Sequence, residues 1–369
     1  MKILHIGKYY PPYFGGIEKV NFDLVEGLNE AGVETDVICF NHISKGSRPV
    51  INNYKVFRSN IIFTLLGQPI SVDYVINLKK IIKDYSIIHL HLPNPFAAIF
   101  VLHFITDQNL ILHWHNDIIK QQLFLFFYRP ILYRILKRSN VIIGTSQEYI
   151  NYSPFLTKYK YKCRVVPIGV DKKDIQENRD FTEILRRRYD SKKVILSVGR
   201  LSKYKGYEYL IKSASYLDEN MIIIIIGKGE EENNLKEIIK SSNLDSKVYL
   251  IKDLPHDKLG SYYSLCSLFC MSSISRNEGF GIVQLEAMLY EKPIVTTDIT
   301  GSGISYGNIH RKTGLVVPVK NELLLADSIK EILNGDNVDF YQRNSASRVR
   351  SIFSKQNMIN KMLKIYKGL

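Results

Sequence analysis

No apolar run in this sequence approaches the length of a membrane-spanning helix. The longest, such as Met221 to Ile226 and Leu123 to Tyr128, fall far short of the ~20 residues that crossing the hydrocarbon requires, so no span is expected. The first residues, MKILHIGKYYPP, carry a lysine, but their apolar patch is broken by His5 and Gly7 and is too short for the core of a secretory signal. A cytoplasmic protein is expected. Cysteine is scarce: Cys39, Cys163, Cys266 and Cys270 are the only four. The C-x3-C pair lies in an apolar, strand-like run, SLCSLFCMSS, and reads as buried thiols rather than a metal or disulfide site. Zinc-finger spacing, an RRM-type aromatic motif and a dense basic tail are all absent, which argues against nucleic acid. There is also no internal repeat and no low-complexity tract.

What is present suits a folded protein of two domains. The chain has 369 residues, 45% of them hydrophobic and 23% charged, enough apolar material for two cores. Lysine and arginine number 50 against 36 acidic residues, a net charge of +14. Such an excess calls for an anionic partner, and phosphate-bearing ligands and anionic lipid rank above nucleic acid.

The first half alternates short β-rich runs with longer amphipathic segments. KILHIG leads through a glycine loop into GIEKVNFDLVEGLNEAG, where Val20, Leu24 and Leu28 have helical spacing. VETDVICF, SIIHLHL, NLILHWH and NVIIGTS follow as strands, with helices expected over 72–83, 95–106 and 118–137. A second series begins at KKVILSVG and continues through MIIIIIG, KVYLI, LFCMSS and PIVTT. Continuous apolar strands joined by helices imply parallel sheets covered on both faces, here as two Rossmann-like halves in tandem. The boundary is expected near Asp171, giving domains 1–171 and 172–350. A basic amphipathic helix over 351–369 would pack back on the first domain.

Three loops carry chemistry. YYPPYFGGIEKV opens a helix at Gly15 and Gly16, where a backbone can approach an anion and free N–H groups can meet it; a plain tight turn is the other reading. Neither this loop nor GKGEEE has the G-x-G-x-x-G spacing of a dinucleotide site. SVGRLSKYKGYEYL places Arg200 and Lys205 between a strand and a helix, which suits a diphosphate; as loop residues, both should be removable without loss of folding. SRNEGFGIVQLEAM places Glu278 before a helix and Glu286 on it, with the N–H groups of Phe280, Gly281, Ile282 and Val283 between them. Carboxylates accept well from vicinal hydroxyls, so a sugar and a ribose would both be served.

Taken together, Gly15-Gly16, His115, the G-R-L-x-x-x-K-G run and the E-x7-E element from Glu278 to Glu286 resemble glycosyltransferase family four. These are retaining nucleotide-sugar transferases of the GT-B fold, an α/β architecture whose two sheets face an interdomain cleft. The likeness extends over nearly the whole chain, and runs such as ILHWHNDIIKQ and TTDITGSGISYGN look most like bacterial mannosyltransferases of O-antigen or exopolysaccharide synthesis. The resemblance implies that Arg200 and Lys205 bind the donor diphosphate, Glu278 the donor sugar and Glu286 the ribose. Gly16 would lie near the phosphates, and His115 would point at the reaction centre. It implies a front-face substitution, GDP-mannose or a UDP-hexose as donor, a lipid-linked oligosaccharide as acceptor, and no cofactor. The chain departs from the pattern at Gly279, where alanine is commoner, and at Glu291, where a glycine would close the helix in left-handed conformation.

The histidines need separate reading. His89 with His91 and His113 with His115 form H-x-H pairs, which share a face in a strand and could ligate a metal. No Asp-x-Asp accompanies them, and cationic side chains already address the diphosphate, so metal independence is expected. His113, inside its strand, reads as a core histidine; His91 is a candidate acceptor contact, and Asp117 a candidate acceptor contact or orienter of His115. The segment DIIKQQLFLFFYRPILYRILKRSN has an apolar face and Lys120, Arg129, Arg134, Lys137 and Arg138. It reads either as a core-packed helix pair with a basic rim or as a peripheral contact with an anionic membrane. A GT-B epimerase and a non-catalytic sugar-nucleotide or lipid-binding module stand as rival functions.

Overall fold

The computed structural model describes residues 1–13, 15–41, 54–118 and 122–369. Phe14 of the first glycine loop and Lys120 of the basic segment lie outside the described residues. The chain divides into two compact units, one of Met1–Gly169 with Lys355–Leu369 and one of Val170–Ser354.

In the first unit the strands are β1 (Lys2–Ile6), β2 (Glu34–Asn41), β3 (Val56–Asn60), β4 (Phe63–Leu65), β5 (Gln68–Ile70), β6 (Ile87–Leu92), β7 (Asn109–Trp114), β8 (Val141–Gly144) and β9 (Cys163–Val165). Seven of them form a parallel sheet in the order β3-β2-β1-β6-β7-β8-β9, and β4 and β5 make a separate hairpin. Its helices are α1 (Gly16–Glu30), α2 (Val72–Ile81), α3 (Pro95–Phe104), α4 (Gln122–Arg138) and α5 (Gln147–Tyr152). The second unit holds β10 (Lys193–Val198), β11 (Met221–Ile226), β12 (Val248–Ile251), β13 (Leu268–Met271), β14 (Ile294–Asp298) and β15 (Gly314–Pro318). They form a sheet in the order β12-β11-β10-β13-β14-β15, parallel throughout. Around it lie α6 (Arg179–Arg188), α7 (Tyr207–Ser213), α8 (Glu232–Ser241), α9 (His256–Leu265), α10 (Ile282–Leu289), α11 (Ile304–Gly307), α12 (Glu322–Asn334) and α13 (Val338–Ile352). The last helix, α14 (Lys355–Lys367), belongs to the first unit.

The apolar runs became strands because helices cover both their faces. Every residue of β6 and of β11 is buried, as continuous apolar strands of parallel sheets require. The sequence reading lacked β3, β9 and β15, which lie at the edges of the sheets, and the short hairpin.

Three expectations change. The basic C-terminal segment is not one helix: α13 stops at Ile352, and Val170 pairs with Ser354 and donates its N–H to the Phe353 carbonyl at 2.8 Å. The unit boundaries therefore fall at Gly169/Val170 and Ser354/Lys355, not at 171 and 351. Lys355 then pairs with the buried Asp23 of α1 at 2.7 Å, which ties α14 to α1. The segment around Pro130 is not a helix pair but the single helix α4, with Pro130 inside it.

The strand order reverses between β1 and β6 in one unit and between β10 and β13 in the other. Open parallel sheets place ligands outside the carboxyl ends of strands at such switch points. The loops that leave β1, β10 and β13 there are the three that the sequence singled out.

Candidate functional site

In the second unit, β10 ends into Gly199 and Arg200, and a short turn at Lys203–Lys205 leads to Gly206 and α7. Gly206 is left-handed at φ +62°, and a Cβ there would lie 2.3 Å from the Ser272 carbonyl oxygen. Only glycine fits. Ile274 N–H donates to the Tyr204 carbonyl at 2.8 Å, and Ser272 Oγ to the Lys205 carbonyl at 3.1 Å. The loops after β10 and β13 are thus one hydrogen-bonded assembly.

That assembly places Lys205 Nζ 2.5 Å from Glu278 Oε2, with the residues only 7% and 8% exposed. Burial by itself would push the Lys205 ammonium down, but the Glu278 carboxylate outweighs it and holds the group above the ordinary lysine range. Ser273 Oγ donates to the same carboxylate oxygen at 3.2 Å, and Ser302 Oγ to the Glu278 carbonyl at 2.6 Å. Arg200, by contrast, is exposed. The two cations assigned to a diphosphate are therefore unlike: one is solvated, the other already neutralised by the carboxylate assigned to the sugar. The expectation that both could be removed without harm to the fold does not hold for Lys205, because its loss strands a buried charge.

Phe280 is buried, and Gly281 turns the chain at φ +78° into α10 with no side-chain cap. A Cβ on Gly281 would meet Met271 Cε at 2.6 Å, so the turn is pressed against the end of β13. The first N–H groups of α10, among them those of Ile282 and Val283, have no intrahelical acceptor and offer partial positive charge to an anion. Glu286, two residues into the next turn, is half-buried and accepts a hydrogen bond from Tyr263 Oη at 2.8 Å.

In the first unit, Gly15 is an uncapped N-cap and Gly16 the exposed first residue of α1, so this helix also offers free N–H groups. His115 follows β7 at the carboxyl edge of the sheet, and its Nε2 lies 2.9 Å from Nδ1 of His91. His91, the candidate acceptor contact, is 1% exposed, packed among other histidines, and its side-chain contacts are with His115 and with His5, whose Nδ1 lies 3.1 Å from His91 Nε2. Asp117 accepts from Trp114 Nε1 at 2.9 Å and from Ser153 Oγ at 2.7 Å, and its N–H donates to Tyr149 Oη at 2.7 Å. Those bonds give it a part in bracing the loop after β7. His113 is buried, as a core histidine should be, yet its Nε2 has no partner.

His5, His89, His91, His113 and His115 form one cluster on one face of the sheet, because H-x-H alternation and register align them: His5 sits opposite His89, and His91 opposite His113. Burial lowers the pKa of all five, to about 3 for His5 and His115. All are neutral at physiological pH. The nitrogens of His91, His113 and His115 lie within 4.8 Å of one another, as do those of His5, His89 and His91. His5, Asn21, Tyr366 and Tyr263 were missed in the sequence. A histidine in β1 with the same alternation as the H-x-H pairs was the one available signal.

The four cysteines are free thiols, three of them buried. On α4, Leu125, Tyr128, Leu132, Ile135 and Leu136 are buried, while Phe126, Phe127 and Tyr133 are exposed beside exposed Arg129, Arg134 and Lys137. Ile62, Phe63, Leu65 and Leu66, in and around the β4–β5 hairpin, are exposed as well. Among the described residues no helix is long and apolar enough to cross a membrane.

Two doubly wound parallel units with free helix N-termini at their switch points have the build of a GT-B nucleotide-sugar enzyme. Residues 14–174 match the family model "Glycosyltransferase Family 4", and residues 180–352 match "Glycosyl transferases group 1". The chain belongs to glycosyltransferase family four. It is 28% identical to O-antigen chain mannosyltransferase C of Escherichia coli, over 100% of this chain and 99% of that protein. It is also 28% identical to the D-rhamnosyltransferase WbpZ of Pseudomonas aeruginosa, over 96% and 92%. Among solved structures, Anabaena HepE in complex with UDP aligns with a TM-score of 0.81 at 19% identity over 100% of both chains. Sucrose-phosphate synthase of Thermosynechococcus elongatus aligns with a TM-score of 0.82 at 20% identity, over 100% of this chain and 98% of that one. At these identities the likeness is one of fold.

Proposed function

We propose that this protein is a retaining hexosyltransferase of O-antigen or related polysaccharide synthesis, moving mannose from GDP-mannose to a lipid-linked oligosaccharide. The observation that carries the reading is the buried Lys205–Glu278 pair beside the free N-terminus of α10. This arrangement offers charge to a departing diphosphate and a held carboxylate to sugar hydroxyls. Arg200 supplies a second, mobile cation, and Glu286, steadied by Tyr263, accepts from the ribose. His115 and Gly16, at the carboxyl edge of the first unit's sheet, are the residues that the family resemblance assigns to the reacting sugar and to the phosphates. Preorganised donors aimed at charge that develops on the leaving group lower the barrier without reorganisation.

The full-length likeness to a mannosyltransferase favours mannose, and a UDP-hexose is the alternative donor. With cations and helix N-termini serving the diphosphate, activity should need no added metal, and EDTA should leave it intact. The exposed aromatics of α4 among its basic residues fit a peripheral contact with an anionic membrane, where a polyprenyl-linked acceptor would reside.

The test is a panel of GDP- and UDP-sugars, read by donor hydrolysis and thermal shift with and without EDTA. Turnover of GDP-mannose above the others is expected. Preference for a UDP-sugar would move the assignment to the alternative donor, binding without turnover would favour a non-catalytic module, and loss on chelation with rescue by Mn²⁺ would overturn metal independence.

A further inference from the structure

The loop that leaves β14 is tied to the Glu278 loop at three points. It turns over 299–302, where Ser302 N–H donates to the Ile299 carbonyl at 3.0 Å and Gly301 is left-handed at φ +75°. Ser302 Oγ then donates to the Glu278 carbonyl at 2.6 Å, Gly303 N–H to the Gly279 carbonyl at 2.8 Å, and Arg276 Nε to the Gly301 carbonyl at 3.0 Å. The atoms themselves fix the direction at Ser302: a carbonyl can only accept, and Ile304 N–H, 3.3 Å from Ser302 Oγ, can only donate. A Cβ on Gly303 would lie 2.7 Å from both the Gly279 carbonyl oxygen and Phe280 Cδ2, so the two loops touch with no room for a side chain between them.

The side chain of Glu278 is held as well. Lys205 Nζ and Ser273 Oγ both meet its Oε2, and among the described residues no hydrogen bond reaches Oε1. Ser273 is itself anchored, because Thr297 Oγ1, on β14, donates to its carbonyl. Ser273, Thr297 and Ser302 are each at most 1% exposed, so these hydroxyls are closed to solvent. Glu278 lies between β13 and α10, with no helix or strand of its own. Side-chain bonds from three loops fix it in place of a regular element.

We propose that Ser302 and Ser273 are positioning residues for the Glu278 carboxylate, Ser302 by fixing its peptide and Ser273 by sharing Oε2 with Lys205, so that Oε1 is the oxygen presented to a hydroxyl of the donor sugar. The inference rests on the reading that Glu278 holds that sugar. Every part of the arrangement belongs to the second unit, on the loops that follow β10, β13 and β14. A carboxylate with one oxygen occupied and the other open accepts from a hydroxyl by a charge-assisted bond. A small displacement of such a group is felt in the transition state, where the sugar gains charge, and not in the binding of the sugar-free nucleotide.

Ser302→Ala and Ser273→Ala each remove one oxygen and leave the packing in place. After a melting check, both are measured by turnover of the GDP- or UDP-sugar that the wild-type protein uses and by calorimetric titration with the matching nucleoside diphosphate. Each should lower kcat by about 10- to 100-fold, the scale of a slightly misplaced group, and leave the diphosphate Kd within about threefold of wild type. A double-mutant cycle separates positioning from general support. In a Glu278→Gln background, either alanine should lower kcat by less than about threefold, because a residue that acts through Glu278 has little left to position. Additive losses in the cycle, or a diphosphate Kd that rises in step with the fall in kcat, would give the serines a merely structural role and overturn the proposal. Near-normal kcat in both alanine variants beside an impaired Glu278→Gln refutes the positioning alone and leaves Glu278 at the sugar. An undiminished kcat in Glu278→Gln refutes its place at the sugar, and the proposal falls with it. If one alanine variant is unfolded at the assay temperature, the other carries the same test.

Discussion

Lys205 Nζ and Glu278 Oε2 are 2.5 Å apart in a nearly closed setting, so the cation and the carboxylate of the proposed donor site act as one unit. Neither can be altered without stranding the other, which separates this pair from the exposed Arg200. The consequences can be measured.

Arg200→Ala and Lys205→Ala should each lower turnover by about 10²-fold, the scale for one lost transition-state donor. Their stabilities should differ. Removing one member of a buried ion pair costs about 3–5 kcal/mol, so Lys205→Ala should melt well below wild type and Arg200→Ala alongside it. Thermal denaturation of the two variants checks this, and equal melting temperatures would contradict a tight buried pair.

The two glutamates should separate in kinetics. Glu286→Gln weakens a charge-assisted contact to the ribose and should raise donor KM and nucleoside diphosphate Kd together by about tenfold, the worth of ~1.5 kcal/mol. Tyr263→Phe should raise both less. Glu278→Gln should chiefly reduce kcat, because the contact it weakens is to a sugar that gains positive character in the transition state. Calorimetric titration with the sugar-free diphosphate, on variants first checked by melting, distinguishes the roles. Equal loss of binding in both would reverse the donor's orientation.

Acid should destabilise the first unit through its buried histidines. His5 and His115 have native pKa values near 3 against 6.5 when unfolded. Between those limits the unfolded chain binds more protons than the native one, so stability rises with pH there. The contribution is complete above pH 6.5 and falls on acidification by about 1.4 kcal/mol per pH unit for each such histidine. Urea unfolding at pH 7.5, 6.5 and 5.5 should show little change in the first interval and a clear loss in the second. A flat response down to 5.5 would mean that the cluster is not closed to protons.

Glu291 adopts φ +58° directly after α10, and Lys292 N–H closes the helix onto the Ala287 carbonyl at 3.1 Å. This is the left-handed closure for which glycine is suited. Glu291→Gly should stabilise the protein by about 1 kcal/mol, even though it removes an exposed ion pair with Arg350, since such pairs are worth little. A melting temperature unchanged or lowered would show that the ion pair outweighs the backbone strain.

Much of this molecule was legible in the chain itself, for local reasons. Runs such as MIIIIIG and SIIHLHL must be strands buried on both faces, and two alternating series of them dictate two parallel sheets. The glycine loop at Gly15-Gly16, the Arg200–Lys205 run and the E-x7-E element were readable because helix N-termini and loop cations act through neighbours close in sequence. What the sequence could not give is which distant elements meet. The Lys205–Glu278 pair depends on β10 and β13 being adjacent, an order set by sheet topology. His5 reaches Tyr366 across 361 residues because α14 returns to the first unit and packs on α1. Strand alternation told which face each histidine shares with its near neighbour, but only the order β1-β6-β7 gathered five of them on one face.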